Sequence, residues 1–233
     1  VFVGLENYIR LASDGFFQRA VWNSVIFTFG SVIFKLVLGM AMALVLTSKI
    51  RFRNLFTGIL LVPWVAPTVV SALNFLWIYD GSLGVLNYVL VKVLGILPQG
   101  VGWLSDAGTA MAAVIFVNIW RGFPFFGITF LAGIKAIPGE LYEAASVDGA
   151  NAFQRFVHVT LPSLSPVIFF SLVIGMINAF QSFTEAYVAG TAVTSQQAGQ
   201  AQIMGEPQGS LLLYPLKLYD EVGPKALALV PKG

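Results

Sequence analysis

Between two stretches apolar enough to sit in lipid, the segment "ELYEAASVDGANAFQRFVHVTLP" gathers Glu143, Asp148, Arg155 and the chain's only histidine, His158. Such side chains can build acid–base or metal sites. With one His, no Cys and no His-Glu-x-x-His pattern, however, a zinc centre or a membrane metalloprotease lacks its ligands. No G-x-x-x-x-G-K-[ST] run is present either, so nothing here cradles ATP phosphates. We expect no catalytic residue, no metal and no cofactor. What remains for this segment is contact chemistry: a carboxylate at Glu143, aromatic anchors at Phe153 and Phe156, and a joint at Asp148-Gly149. The competing reading is a surface helix packed on its own bundle, with Glu143 and Asp148 simply solvated.

A second set of polar residues lies inside apolar runs, where an ionisable group is costly and tends to face a polar cavity or a partner. Arg121 stands mid-run beside Trp120 and ahead of Pro124, whose ring frees a backbone carbonyl nearby. Asn178, Gln181 and Glu185 recur at intervals of three and four, which puts them on one stripe of a helix. Such a stripe can bind a hydroxylated solute or hydrogen-bond a neighbouring helix. Lys35 is a weaker candidate, able to reach an interface or pair with Glu185.

The elements that must hold these residues follow from hydropathy. A chain 57% hydrophobic and 10% charged, with a mean hydropathy of +0.82, belongs to the membrane class rather than to soluble domains. Its net charge of +2, scattered along the chain, argues against a nucleic-acid surface. About 20 mostly apolar residues cross the hydrocarbon core as a helix. Four runs qualify, at about 21–46, 55–79, 107–134 and 164–184, giving an all-α polytopic bundle. The shorter run Leu83 to Leu97 contains Lys92 and two glycines, and reads as an interfacial helix. Gly58, Pro63 and Pro67 in the second run fit either a broken helix or close packing.

Within the segment at 138–162, Leu141, Ala144 and Ala145 share one face of a short helix, and Phe153, Phe156 and Val157 repeat the spacing. Pro138 suits a first turn, Gly149 the left-handed end of a helix, and Asn151 or Asp148 the cap of the next. Orientation follows from the cations. Lys49, Arg51 and Arg53 in "SKIRFRN" hold the first connection in the cytoplasm, which sends 79–106 outside and returns Lys135, Arg155 and His158 to the cytoplasm.

Here the residues carry a resemblance. Glu143-Ala144-Ala145, Gly149, Val159 and Leu161-Pro162 keep the spacing of the EAA loop of ATP-binding-cassette importer permeases, with Val where Ile is commoner. "GLENY" at Gly4 to Tyr8, "LVPWVAPTVVSALNFLWIYD" at Leu61 to Asp80, "GVLN" at Gly84 to Asn87 and "NIWRGFPFF" at Asn118 to Phe126 resemble the sugar-permease branch. The resemblance covers about residues 2–188. It implies a permease subunit in a bacterial inner membrane, paired with a second permease, docked on ABC ATPase subunits and served by an extracytoplasmic solute-binding protein. It also implies that Glu143, Ala144, Ala145, Asp148, Gly149, Phe153, Phe156, Leu161 and Pro162 engage the ATPase, and that the translocation path runs partly along Asn178, Gln181 and Glu185.

The tail at 189–233 departs from that pattern. "AGTAVTSQQAGQAQ" is small, polar and of low complexity, "GEPQGSLLLYPLKLYDE" resembles an outside segment, and "VGPKALALVPKG" is too short of apolar residues to span. We expect this tail to be extracytoplasmic and partly disordered, with the family's first and last spans missing and the chain a piece or an altered copy of a longer permease. A secondary carrier, a membrane scaffold without an ATPase, and a non-functional truncated permease are the alternatives to an ATP-driven importer of a sugar, polyol or glycerol phosphate.

Overall fold

The computed structural model describes residues 4–48, 51–105 and 107–182, and every regular element among them is helical. In chain order these are α1 (Glu6–Ser13), α2 (Gly15–Thr47), α3 (Arg53–Val65), α4 (Thr68–Ile78), α5 (Val85–Asn87, running into a π-helical turn at Tyr88–Val93), α6 (Ala107–Ala136), α7 (Gly139–Val147), α8 (Ala152–Ser163) and α9 (Ser165–Phe180). They form two compact units: residues 4–65 with Ile119–Gln181, and Ala66–Asn118 with Ser182. Lys49, Thr184, Glu185 and the 189–233 tail lie outside the described residues.

In the first unit, Asp14 separates α1 from α2 and starts the latter, its carboxylate accepting the Phe17 N–H at 3.3 Å. The helix then runs to Thr47, six residues further toward the N-terminus than the apolar run beginning near Val21 suggests, because nothing at Gly15–Ala20 stops it. The core consists of Met42, Ala43 and Leu46 of α2, Phe126, Phe130, Leu131 and Ile134 of α6, and Leu164 just ahead of α9. Helices in lipid gain little from expelling water, so close backbone approach and van der Waals fit must hold them. Small residues provide that approach. A Cβ on Gly39 would strike the backbone of α6 at Phe126 and Gly127, and one on Gly175 would lie 2.6 Å from the Phe126 ring. Gly175 is the middle of a buried stripe, Ser171, Gly175 and Ala179, spaced four apart along α9. Because Lys35 meets Gly122 and Met42 meets Gly127, α2 and α6 run parallel; α9 runs against them, with Val167 at Gly133 and Gly175 at Phe126.

The second apolar run is two helices rather than one. Pro63 is accommodated inside α3, where it is buried, while the chain breaks at Ala66–Pro67, Pro67 serving as the N-cap of α4. In the second unit, Tyr79 closes α4 by donating from its hydroxyl to the Ala113 carbonyl of α6 at 3.2 Å, and Phe75 packs edge-on to Phe116. The following loop is organised by Asn87. Its amide nitrogen donates to the carbonyls of Asp80, Gly81 and Val101 (3.2, 3.0 and 2.9 Å), and its oxygen accepts from Val101 N–H and Trp103 Nε1 (3.1 and 2.9 Å). A single buried side chain thereby satisfies backbone groups from both sides of the loop.

By length and composition, Phe17–Thr47 and Gly108–Ala136 can each cross a membrane, and the pairs α3 with α4 and α8 with α9 qualify when each is counted as one broken span. The fourth apolar run is thus joined to the polar segment before it: α8 and α9 meet at Leu164 with a bend of 65°.

Candidate functional site: the helix-turn-helix before α9

The segment from Gly139 to Ser163 is built as two short helices around a tight joint. α7 ends at Asp148, and Gly149 takes φ 76, the left-handed conformation that costs glycine nothing. Two backbone bonds lock that turn, Gly149 N–H to the Ser146 carbonyl at 3.1 Å and Ala150 N–H to the Ala145 carbonyl at 2.9 Å. Of the two caps open in the sequence, Asn151 starts α8: its side chain accepts the Gln154 N–H at 2.9 Å, and Gln154 Oε1 accepts the Asn151 N–H at 2.8 Å. Asp148 instead ends α7.

α8 is not a uniform α-helix. After Arg155 it widens into a π-helical turn, Phe156–Thr160, and tightens again through Leu161–Ser163 with Pro162 at its start. His158, within this turn, contacts the Gln154 carbonyl through Nδ1 at 3.0 Å. Phe153, Phe156 and Val157 do not share one buried face: Phe153 stands 73% exposed while Phe156 and Val157 are half-buried. Glu143, Ala144, Asp148 and Gly149 are exposed, Ala145 is half-buried, and Leu161 and Pro162 lie exposed at the far end. Val147, 88% exposed beside the joint, is a large apolar side chain in the open that its position in the sequence did not single out. The result is a hairpin of helices on which Val147, Phe153, Glu143 and Asp148 are all exposed.

The second residue set is spread more widely. Arg121 is half-buried in α6, and Lys35 is buried at 5% exposure, with the Lys35 stem against Gly122. Asn178 and Gln181 are both exposed at the end of α9, and Asn178 donates to the Ile174 carbonyl of its own helix at 2.9 Å. Glu185 lies outside the described residues. Asn118, three residues before Arg121, donates to Ser182 Oγ at 3.1 Å.

Sequence reasoning missed four residues that join the two short helices, Tyr142, Ser146, Arg155 and Thr160. The Tyr142 hydroxyl and Thr160 Oγ1 lie 3.0 Å apart, and Arg155 Nη1 donates to Ser146 Oγ at 2.9 Å. Tyr142 and Ser146 at i, i+4 were recoverable as one face of α7; Arg155 and Thr160, five apart, were not, because α-helical spacing puts them on different faces.

Known proteins resemble this chain along most of its length. The profile of the family described as "binding-protein-dependent transport system inner membrane component" matches residues 35–216. The trehalose/maltose transport system permease protein MalF of Thermococcus litoralis is 39% identical over 187 residues, covering 80% of this chain and 62% of that protein. The arabinooligosaccharides transport system permease protein AraP of Bacillus subtilis is 38% identical over 189 residues, covering 80% of this chain and 59% of its own length. The chain therefore spans about six-tenths of these relatives. Among solved structures, a chain of a bacterial ABC transporter involved in import of the acidic polysaccharide alginate has the same fold, with a TM-score of 0.71 at 24% identity over 98% of this chain and 82% of that one.

Proposed function

The chain belongs to the family of inner membrane components of binding-protein-dependent transport systems, and from that premise we propose that it is a permease subunit of an ATP-driven sugar importer. In this reading it lines a translocation path together with a second permease subunit. ATP is hydrolysed by partner ATPase subunits, and an extracytoplasmic binding protein delivers the solute. The solute class is a sugar or a related polyol or glycerol phosphate, since similar proteins are named for trehalose/maltose and arabinooligosaccharides.

The observation that carries the reading is the hairpin α7–α8, which leaves Val147, Phe153 and Glu143 exposed and runs directly into α9, the more apolar half of a broken candidate span. An apolar side chain in water is poorly used unless something covers it, and an aromatic flanked by charge is a common anchor of a protein interface. A partner can shift a two-state protein only by binding its two states differently, so the hairpin must be held by the ATPase and must move with the span. Arg121, Asn178 and Gln181 are assigned to the solute path, with Glu185 as the fourth member.

The test co-expresses the complete subunit with its partner permease and ATPase and measures ATPase retained on purification, alongside uptake of radiolabelled maltose, trehalose and arabinotriose. Phe153→Ala is expected to lower retained ATPase at all salt concentrations. Glu143→Lys should lower it in a salt-dependent way, since exposed charges are screened over about 8–10 Å at physiological ionic strength. Arg121→Leu should keep the ATPase and lose uptake. Parental stoichiometry in both hairpin variants would remove the coupling role.

A further inference from the structure

Tyr142, Ser146, Arg155 and Thr160 form a closed hydrogen-bonded circuit between α7 and α8. Ser146 Oγ donates to the Tyr142 carbonyl at 2.7 Å, which leaves its lone pairs for Arg155 Nη1 at 2.9 Å. Thr160 Oγ1 donates to the Arg155 carbonyl along the longest side, 3.5 Å, which makes the Tyr142 hydroxyl the donor in the 3.0 Å contact to Thr160. Every hydroxyl in the circuit has a consistent role. Two of its sides cross between the helices, one at a buried residue, Thr160, and one nearer solvent.

Two ties do what one cannot. A single hydrogen bond between two helices leaves them free to rotate about it. Tyr142 and Ser146 are one turn apart on α7, about 6 Å along the axis, so ties at both positions fix the angle. On α8 the matching residues are five apart. In a regular α-helix five residues advance about 500°, which would set Arg155 and Thr160 about 140° apart. The π-helical turn at Phe156–Thr160 winds more slowly and returns both to the side facing α7.

We propose that these four residues are positioning residues, a two-point tie that makes α7 and α8 turn as one rigid piece so that displacement at the exposed tip reaches α9 undiminished. The inference rests on the coupling reading above. It adds that coupling depends on stiffness inside the hairpin, beyond contact at its surface. None of the four needs to touch the ATPase.

These 233 residues contain no cysteine, so once any cysteines in the rest of the subunit and in its partners are replaced, spin labels can be attached at Glu140→Cys and Ala152→Cys, both exposed, in the complete assembly with partner permease and ATPase. Pulsed electron paramagnetic resonance then reads the spread of distances between α7 and α8. In parallel, ATP hydrolysis is measured with and without the binding protein loaded with whichever of maltose, trehalose or arabinotriose is taken up. Tyr142→Phe and Ser146→Ala should each leave the distance distribution narrow, and Tyr142→Phe with Thr160→Val, which cuts one tie twice, should match Tyr142→Phe alone. Tyr142→Phe with Ser146→Ala cuts both ties. It should broaden the distribution and raise hydrolysis per solute imported several-fold while the ATPase stays bound.

A second pair, Thr160→Val with Arg155→Leu, cuts both ties from the other helix and must behave the same way. A narrow distribution and parental coupling in both pairs would overturn the tie while leaving ATPase retention by the hairpin intact. A broad distribution with parental coupling would overturn the proposed role of stiffness, and with it the transmission of motion through this hairpin.

Discussion

Gly149 carries the joint of the hairpin on its backbone alone: φ is 76, and a Cβ there would meet open space. Strain, not clash, is what a substitution must overcome. Gly149→Ala should destabilise the hairpin by about 1–2 kcal/mol, with Gly149→Asn milder because asparagine visits the left-handed region more readily. Gly149→Pro cannot reach that region and also removes the N–H bonded to Ser146, so it should unfold the joint. Amide hydrogen exchange across residues 139–163 ranks the three. Asn87 is the opposite kind of residue, acting through its side chain only. Asn87→Ala orphans three carbonyls, the Val101 N–H and the Trp103 Nε1–H, each costing about 1–3 kcal/mol while it stays buried and unpaired. Limited proteolysis should then open the loop at residues 95–102, where the parent resists. Gly149 was legible because glycine after Asp at a helix end has one dominant use. Asn87 was legible only as part of a motif, since the groups it satisfies lie up to 16 residues away.

Among elements, the crossing of α6 and α9 is the most exacting, because Gly175 receives the Phe126 ring within a stripe of small residues. Gly175→Leu should cost about 1–3 kcal/mol by overpacking, and Phe126→Ala, itself cavity-forming, should restore part of that loss in the double variant. Thermal unfolding of the detergent-purified subunit gives all three values; additive losses would deny the contact. Helices were readable where apolar runs exceeded the bilayer thickness, as in α2 and α6. The break at Ala66–Pro67 was not, because Pro63 and Pro67 look alike in sequence, yet one sits inside α3 and the other caps α4. Nor was the π-helical turn, since an extra residue per turn leaves no signature in hydrophobic spacing.

For the whole chain, the packing of the first unit constrains how often the membrane is crossed. α2 and α6 are parallel neighbours, so if both span, the chain between them returns an odd number of times. α3 and α4, broken at Pro67, then count as one crossing. If Arg51 and Arg53 are held in the cytoplasm, as the cations predict, the hairpin is expected on the cytoplasmic side and Ser82 outside. Single cysteines at Arg51 and Gly149 should be protected from an impermeant thiol reagent on intact spheroplasts, and one at exposed Ser82 should be labelled. Labelling at position 149 without labelling at 82 would invert the topology. This orientation is an expectation drawn from the cations in the sequence. The outward faces of α2, where Phe29, Ile33, Val37 and Val45 are exposed, were not assignable in advance to lipid or to protein, because both neighbours are apolar.

The wide turn in α8 also holds a spare residue. A π-helical turn is an α-helix with one residue inserted, so deleting a single residue from Phe156–Thr160 would leave a helix of ordinary pitch. Five residues at the slower π pitch turn through about the same angle as four at the α pitch, about 400°, so everything upstream of the deletion would keep its bearing relative to α9. Phe153 would remain exposed, chemically unaltered and facing the same way. The heading of the hairpin tip is thus buffered against a one-codon deletion in the wide turn, whereas the same deletion in a stretch of ordinary pitch, with no spare residue to absorb it, would swing the tip by about 100° about the helix axis.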